Sequence, residues 1–367
     1  MHHFSVFHKK GKISIGIDIS DATLKGVALE TRKNLTIIKA AHSQEIPQDA
    51  IVKGGIKKPR VVGELIEELS QSLQGGGIHQ PMVVVPLPEP ETYLSTFTIP
   101  PPKELTRAAL DPKIKEEMKA YIPVPPEQLT YDWQITQTST NAITVAVGAA
   151  PRSVITQYTK LFSNQHLIPK AFEIESVAIA RALVPFKLPK KESSVIVVDL
   201  GASRSGMSLV LNNTVQLAVS APISGNTITD QLSVALKKSP QEIEALRKTH
   251  GFHPEKSIPA AYKTILLNMG HDLLSRIEEI EKYYQSHWQS KTPLSKIILT
   301  GGGSKLTGIA EYLAKEQKIK VELGDPLTNI HHSLSHPCPI PPHERPHYTT
   351  AIGLALRNVM PLPKKLL

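Results

Sequence analysis

The chain carries one cysteine, Cys338, in 367 residues. An intrachain disulfide is therefore excluded, and the composition fits a reducing compartment. Aromatic residues make up 5% of the chain, and none interleave with the basic clusters Lys9-Lys10-Gly11-Lys12, Lys57-Lys58-Pro59-Arg60 and Lys364-Lys365. Nucleic-acid grooves combine positive charge with stacking platforms, so no nucleic-acid partner is expected, and the clusters read as solvated loops. Long apolar runs are missing too. Val83-Val84-Val85 and Val195-Ile196-Val197-Val198 are strand length, far short of a membrane span. Met1-His2-His3-Phe4 lacks the apolar core of a signal peptide, and a cytoplasmic protein is expected. What remains is an ordinary globular composition, 40% hydrophobic and 20% charged, long enough for two core-forming domains. The net charge of +9 is compatible with an anionic membrane surface or an acidic partner.

The first strand signal is alternation: Ile13, Ile15, Ile17 and Ile19 against Ser14, Gly16 and Asp18. Asp21-Ala22-Thr23 turns the chain, Leu24 to Glu30 returns, and Leu35 to Ala40 reads as a third strand. Val62, Leu65, Ile66, Leu69 and Leu73 recur at helical spacing, with Gly75-Gly76-Gly77 as the stop. Between Glu89 and Lys170 prolines crowd the chain, with short strands at Tyr93 to Ile99, Tyr131 to Thr136 and Ile143 to Ala149 and helices at Pro112 to Tyr121 and Arg152 to Asn164. That is enough for a small inserted α+β subdomain. A second unit then repeats the opening. Val195 to Leu200 contains Asp199, Gly201-Ala202-Ser203-Arg204-Ser205-Gly206 turns, and Met207 to Leu211 returns. Asp18 and Asp199 hold equivalent places in the two units, which points to a duplicated domain. Helices follow at Thr227 to Leu236, Pro240 to Thr249 and Ile258 to Trp288. The apolar strand Lys296 to Thr300 then runs through Gly301-Gly302-Gly303-Ser304 into a helix from Lys305 to Gln317. A last helix is expected around Thr350 to Val359.

A strand that ends in aspartate and turns through small residues offers backbone N–H groups to a phosphate, while the carboxylate supplies an oxygen to Mg²⁺. Two such turns in tandem halves can clamp phosphates from opposite sides. A glycine run between strand and helix lets a base or ribose lie against the backbone. Together these features predict ATP or ADP binding with Mg²⁺. His331, His332, His336, Cys338, His343 and His347 match no zinc spacing and read as a solvated loop.

Gly16-Ile17-Asp18-Ile19, Val198-Asp199-Leu200-Gly201-Ala202 and Leu299-Thr300-Gly301-Gly302-Gly303-Ser304 resemble, in order, the two phosphate motifs and the adenosine motif of the actin-like ATPases. The insert and the ending Ala351-Ile352-Gly353-Leu354-Ala355-Leu356-Arg357 narrow the resemblance to PilM-type proteins of type IV pilus, secretion and competence machines, relatives of the division protein FtsA. Ile51 to Ile56, Val84 to Pro88 and Gly225-Asn226-Thr227-Ile228-Thr229 match as well. The resemblance implies duplicated α/β domains of the actin-like, ribonuclease H-like fold. The first is expected over 1–88 plus 171–190, the insert over 89–170 and the second over 191–367, with a helical subdomain at about 224–292.

By the same resemblance, Asp18 and Asp199 face the metal. Ser20, Asp21, Ala22 and Thr23, with Gly201, Ala202, Ser203 and Ser205, grip the phosphates, and Gly301, Gly302, Gly303 and Ser304 flank the adenosine. Glu244 and Arg247 stand where the family has a Glu-x-x-Lys pair beside ribose and base, Gly225 opens the helical subdomain, and Lys25 closes the first motif. Ser20 replaces a usual glycine, Asp21 adds an acid, and Arg247 replaces a lysine. Glu175 is the candidate for positioning an attacking water, with helix capping as its alternative role, so any ATPase activity is expected to be slow. The implied partner is the N-terminal cytoplasmic tail of a PilN-like inner-membrane protein, held between the first domain and the insert, with other pilus-machine components or further copies of the chain as additional partners. The implied location is the cytoplasmic face of the inner membrane. An FtsA-like division filament and a sugar-kinase-like enzyme are the alternatives. Pro361 to Leu367 is short for the filament's membrane helix, and Asp21 or Glu64 makes a forced kinase base.

Overall fold

The computed structural model describes residues 12–32, 35–52, 54–74, 82–186, 194–253, 258–287, 294–333 and 336–359. Strands β1 (Lys12–Ile19), β2 (Thr23–Arg32) and β3 (Leu35–Glu45) form an antiparallel meander. A ribbon of β4 (Ile51–Val52) and β5 (Gly55–Ile56) leads into helix α1 (Pro59–Gln74), and β6 (Met82–Leu87) returns parallel to β1. The glycine stop expected at 75–77 lies outside the described residues, as do Trp288 and the basic residues at 9–10 and 364–365. β1 is buried on both faces because it is central. Leu69 and Leu73 of α1 pack over Gly26 of neighbouring β2 on one side, and a helix from the second half lies on Gly16 on the other.

After β6 the chain leaves the sheet. Strands β7 (Tyr93–Ile99), β8 (Leu129–Thr138) and β9 (Ile143–Pro151) make a separate three-stranded sheet ordered β7-β9-β8. Helix α2 (Arg107–Tyr121) covers it, with buried Leu110, Ile114 and Met118 packed on Phe97, Ile143 and Val145. The helix expected from Pro112 begins earlier, because Thr106 caps it by accepting from the Ala109 N–H. Pro112 sits inside and leaves the Ala108 carbonyl without its helical donor. Helix α3 (Arg152–Ser163) was expected within the insert. Its Tyr158, Leu161 and Phe162 instead pack beside α1 in the core of the first sheet, which β10 (Ile168–Ile174) completes in the order β10-β6-β1-β2-β3. Amphipathic spacing announces a helix with an apolar face but not which sheet receives that face.

Helix α4 (Glu175–Leu183) leads to the second unit: β11 (Ser194–Leu200), β12 (Ser205–Leu211), β13 (Thr214–Ala221), helices α5 (Gly225–Leu236), α6 (Pro240–His250) and α7 (Ala260–His287), then β14 (Lys296–Thr300). Helix α8 (Ile309–Gln317), β15 (Lys320–Leu323) and helix α9 (Thr349–Leu356) close the described chain. The helix expected from Lys305 starts at Ile309, because Gly302–Lys305 forms a 3₁₀ turn and Gly308 adopts φ +93°. The second sheet runs β13-β12-β11-β14-β15. Read from the meander outward, both sheets have the same plan: third, second, first, fourth, fifth. Duplication is thus visible in topology.

The halves are joined by exchange of helices. α9 packs on β1 and β2 of the first half, and α4 packs on β12 and β13 of the second. They meet at Gly353, where a Cβ would stand 1.8 Å from the Ala178 carbonyl oxygen. Small residues here let two backbones touch, and Val27, Ala180, Val195 and Ala351 share one hydrophobic core across the seam. Buried Glu173 of β10 accepts from Arg181 of α4 and from Arg357 beyond α9, so one carboxylate ties the two halves together.

Candidate functional site

Each half contributes one hairpin to the mouth between them. In the first, Asp18 near the end of β1 pairs in register with Lys25, and their charges stand 3.9 Å apart. Lys25 also donates to the Thr23 hydroxyl. The turn is closed by its own side chains. Ser20 Oγ accepts from the Thr23 N–H at 3.0 Å, and Asp21 accepts from the Gly54 N–H at 2.8 Å. Asp18 is buried, and its Oδ1 has no hydrogen-bond partner among the described residues. In the second hairpin Asp199 lies opposite Gly206. Its turn closes through backbone, Gly201 N–H to the Arg204 carbonyl at 3.0 Å, and it supports α5, since Gly225 and Asn226 donate to the carbonyls of Gly201 and Ala202.

The glycine run after β14 is shaped by close approach. Gly301 has φ +79°, and a Cβ there would fall 2.2 Å from Asp199 Oδ1. A Cβ on Gly303 would press on Leu200. Only glycine fits this turn against the second hairpin. On α6, Arg247 donates to the Thr229 hydroxyl at 3.0 Å, while exposed Glu244 pairs with Lys248 at 2.7 Å. Hairpins, glycine run and α6 surround one cleft of about 990 Å³. Every site residue expected from the sequence lines it except Ser205 and Ser304. Those two are turned inward: Ser205 Oγ donates to the Ile223 carbonyl at 2.6 Å and Ser304 Oγ to the Gly301 carbonyl at 2.7 Å. Both hydroxyls brace the loops.

The family described as type IV pilus assembly protein PilM matches residues 16–359, nearly the whole chain. The chain belongs to the PilM family. It is similar to cell division protein FtsA of Escherichia coli K12, 22% identical over 193 residues, covering 45% of this chain and 43% of FtsA. It thus aligns with less than half the length of the curated relatives it matches. A solved PilM–PilN type IV pilus biogenesis complex contains a similar chain, with a TM-score of 0.77, 19% identity and coverage of 95% and 99% of the two chains. Ethanolamine utilization protein EutJ from Carboxydothermus hydrogenoformans follows at TM-score 0.52, 15% identity and coverage of 94% and 89%. MreB5 of Spiroplasma citri, solved bound to ADP, has a TM-score of 0.50 at 10% identity, with coverage of 87% and 93%. These likenesses establish an actin-like ATPase fold.

The electrostatics of this PilM-family cleft are dominated by acids. Burial raises Asp18 above its ordinary value, although Lys25 pulls it down. Asp199 is pushed up to about 7 by burial, then by the charges of Glu89 and Asp18. Glu175, the first residue of α4, is held well above the ordinary range by burial, then by Asp18, Glu89 and Asp199, with Arg204 opposing. Asp18, Glu89, Glu175 and Asp199 thus gather in the cleft near Lys25 and Arg204, a concentration of negative charge that a divalent cation would suit. Among the described residues no cluster of three or more His, Cys, Asp or Glu side chains is placed to hold a metal. Two carboxylates plus ligand phosphates suit Mg²⁺, which favours that mixed coordination, and the orphaned Asp18 oxygen fits the role. Sequence reasoning missed Glu89, Arg204, Lys305 and His347. Arg204 was hidden inside the Gly201–Ser205 run. Lys305 and His347 meet at 2.7 Å beside Gly302 only because the chain returns there 42 residues later.

Proposed function

We propose that this chain is an ATP-binding scaffold of a type IV pilus machine, whose two halves close on Mg²⁺ and nucleotide. The observation that carries the reading is the convergence of two aspartate hairpins and a closely packed glycine run on one cleft. Asp18 and Asp199 would hold the metal, which neutralises phosphate charge. The turn residues Ser20 to Thr23 and Gly201 to Ser203 would face the phosphates. Gly301 to Gly303, with Glu244 and Arg247, would flank the nucleoside. ADP in the similar MreB5 structure supports the same ligand class here. Glu175, the candidate for positioning an attacking water, is also the first residue of α4 and in place to cap that helix, so turnover below about one per second is expected.

The partner proposed is the cytoplasmic tail of a PilN-like inner-membrane protein, supported by the similar chain in the PilM–PilN complex. Among the described residues no helix is long and apolar enough to cross a membrane, so residence at the inner membrane would come through that partner. β8 is an edge strand of the inserted sheet, to which an extended peptide could add. The test is recruitment to vesicles carrying a PilN-like tail, with and without ATP. Replacing residues 93–150 by a Gly/Ser bridge, which spares α3 and β10, should abolish recruitment and retain nucleotide binding. Recruitment of the folded, bridged protein would exclude the insert as the docking site.

A further inference from the structure

Arg204 stands at the tip of the second hairpin and reaches toward the first. Its ion pair with Asp21 Oδ2 spans 3.9 Å, a charge contact rather than a close hydrogen bond, and its side chain is 23% exposed. Glu89 approaches the same place from a third direction. It opens the 3₁₀ turn Glu89–Glu91, two residues beyond the end of β6, where the chain leaves for the inserted sheet. Its carboxylate crosses to the second half, with Oε1 lying 3.3 Å from where a Cβ on Gly206 would be. Gly206 is paired with Ser220 across β12 and β13. A second tie runs alongside, since Thr96 of β7 donates to the Gln216 carbonyl of β13 at 2.9 Å. The inserted sheet is therefore fastened to the half opposite the one that carries it, and Glu89 meets that half at Gly206, two residues along the second hairpin from Arg204.

We propose that Arg204 reads the terminal phosphate of the bound nucleotide, and that Glu89 passes this reading to the inserted sheet. This rests on nucleotide binding in the cleft as proposed above. With a diphosphate the guanidinium remains on Asp21, its charge still lowering the cost of the Glu89 carboxylate nearby. A third phosphate is a stronger and better-shaped acceptor for a planar guanidinium than either half-buried carboxylate. Drawing Arg204 onto it takes positive charge away from the neighbourhood of Glu89 and changes how the start of the insert is held.

The full chain is titrated with Mg²⁺-ADP and with the Mg²⁺ β,γ-imido analogue of ATP, and amide hydrogen exchange is followed over residues 89–99. The native protein should bind the analogue roughly ten- to a hundred-fold more tightly than ADP, the worth of one charged hydrogen bond. Arg204→Ala should bring that ratio to about one with ADP affinity little changed. Arg204→Lys should restore part of the ratio. Glu89→Gln should keep the ratio but remove the difference in exchange between the two nucleotides. Equal loss of both affinities in Arg204→Ala, or identical exchange over 89–99 with either nucleotide in the native protein, would overturn the proposal. Binding of neither nucleotide by the native chain would sink the nucleotide reading itself and this inference with it.

Discussion

The two hairpins occupy equivalent places in duplicated sheets, yet they are finished differently. The first is self-contained: Asp18 has Lys25 across the ladder, and Ser20 and Thr23 close the turn on themselves. The second has Gly206 opposite its aspartate, and the space left free takes in Glu89 from the insert. Its cation, Arg204, points outward to the other half. Duplication has preserved the strand order while dividing the work. One hairpin carries its own counter-charge, and the other draws charge from elsewhere in the chain.

The largest effect should come from the seam that holds the halves in register. Gly353→Ala places a methyl group where the Ala178 carbonyl oxygen already lies, and urea unfolding should show a loss of about 4 kcal/mol or more. A near-neutral result would mean that α4 and α9 can slide apart, and the fixed cleft would have to be given up. Next, the hairpins should respond unequally to loss of their acids. Asp199→Ala leaves nothing in exchange, whereas Asp18→Ala frees Lys25 to face the phosphates directly. Calorimetry should find nucleotide affinity about ten-fold lower in the first variant than in the second, the worth of one charged interaction. Equal losses would show the hairpins to be equivalent.

A smaller effect is expected from pH. The Asp199 carboxyl moves from an ordinary 3.8 up to about 7 on folding, chiefly through burial. Between those values the folded chain binds more protons than the unfolded one, so this group's contribution to stability falls as pH rises and levels off above about 7. Asp18, Glu175 and Glu89 are raised as well and act in the same sense. The nucleotide-free protein should melt several degrees lower at pH 7.5 than at pH 5.5, and Asp199→Asn should shrink the difference (shifts of about 2–4 °C per kcal/mol are usual for large domains). A melting temperature that rises over this interval would contradict the burial of these acids. The smallest change should come from Glu244→Ala, an exposed partner of Lys248, within about 0.5 kcal/mol of the parent in stability.

Local pattern carried much of the architecture. Isoleucine alternation gave β1, and the spacing of Val62, Ile66, Leu69 and Leu73 gave α1, because burial on one face imposes those periods directly. The paired aspartates were legible because a repeat leaves the same residue at the same place twice. The inward turn of the Ser205 and Ser304 hydroxyls was not legible, because a small hydroxyl in a phosphate-type loop looks the same whether it faces a ligand or its own backbone. The allegiance of α3, the meeting of Glu89 with the second half and the return of His347 to Gly302 are tertiary facts. Each depends on which surfaces come together after the elements form, and no local period records that choice.

The central claim is that both halves bind one Mg²⁺-nucleotide in the cleft between them. Isothermal calorimetry of the full chain with ATP, in Mg²⁺ and in excess chelator, tests it most directly. The account predicts one saturable site per chain, lost in chelator and strongly weakened by replacing Asp18 and Asp199 together. No heat and no thermal stabilisation at millimolar ATP with Mg²⁺, or binding indifferent to both aspartates, would contradict it.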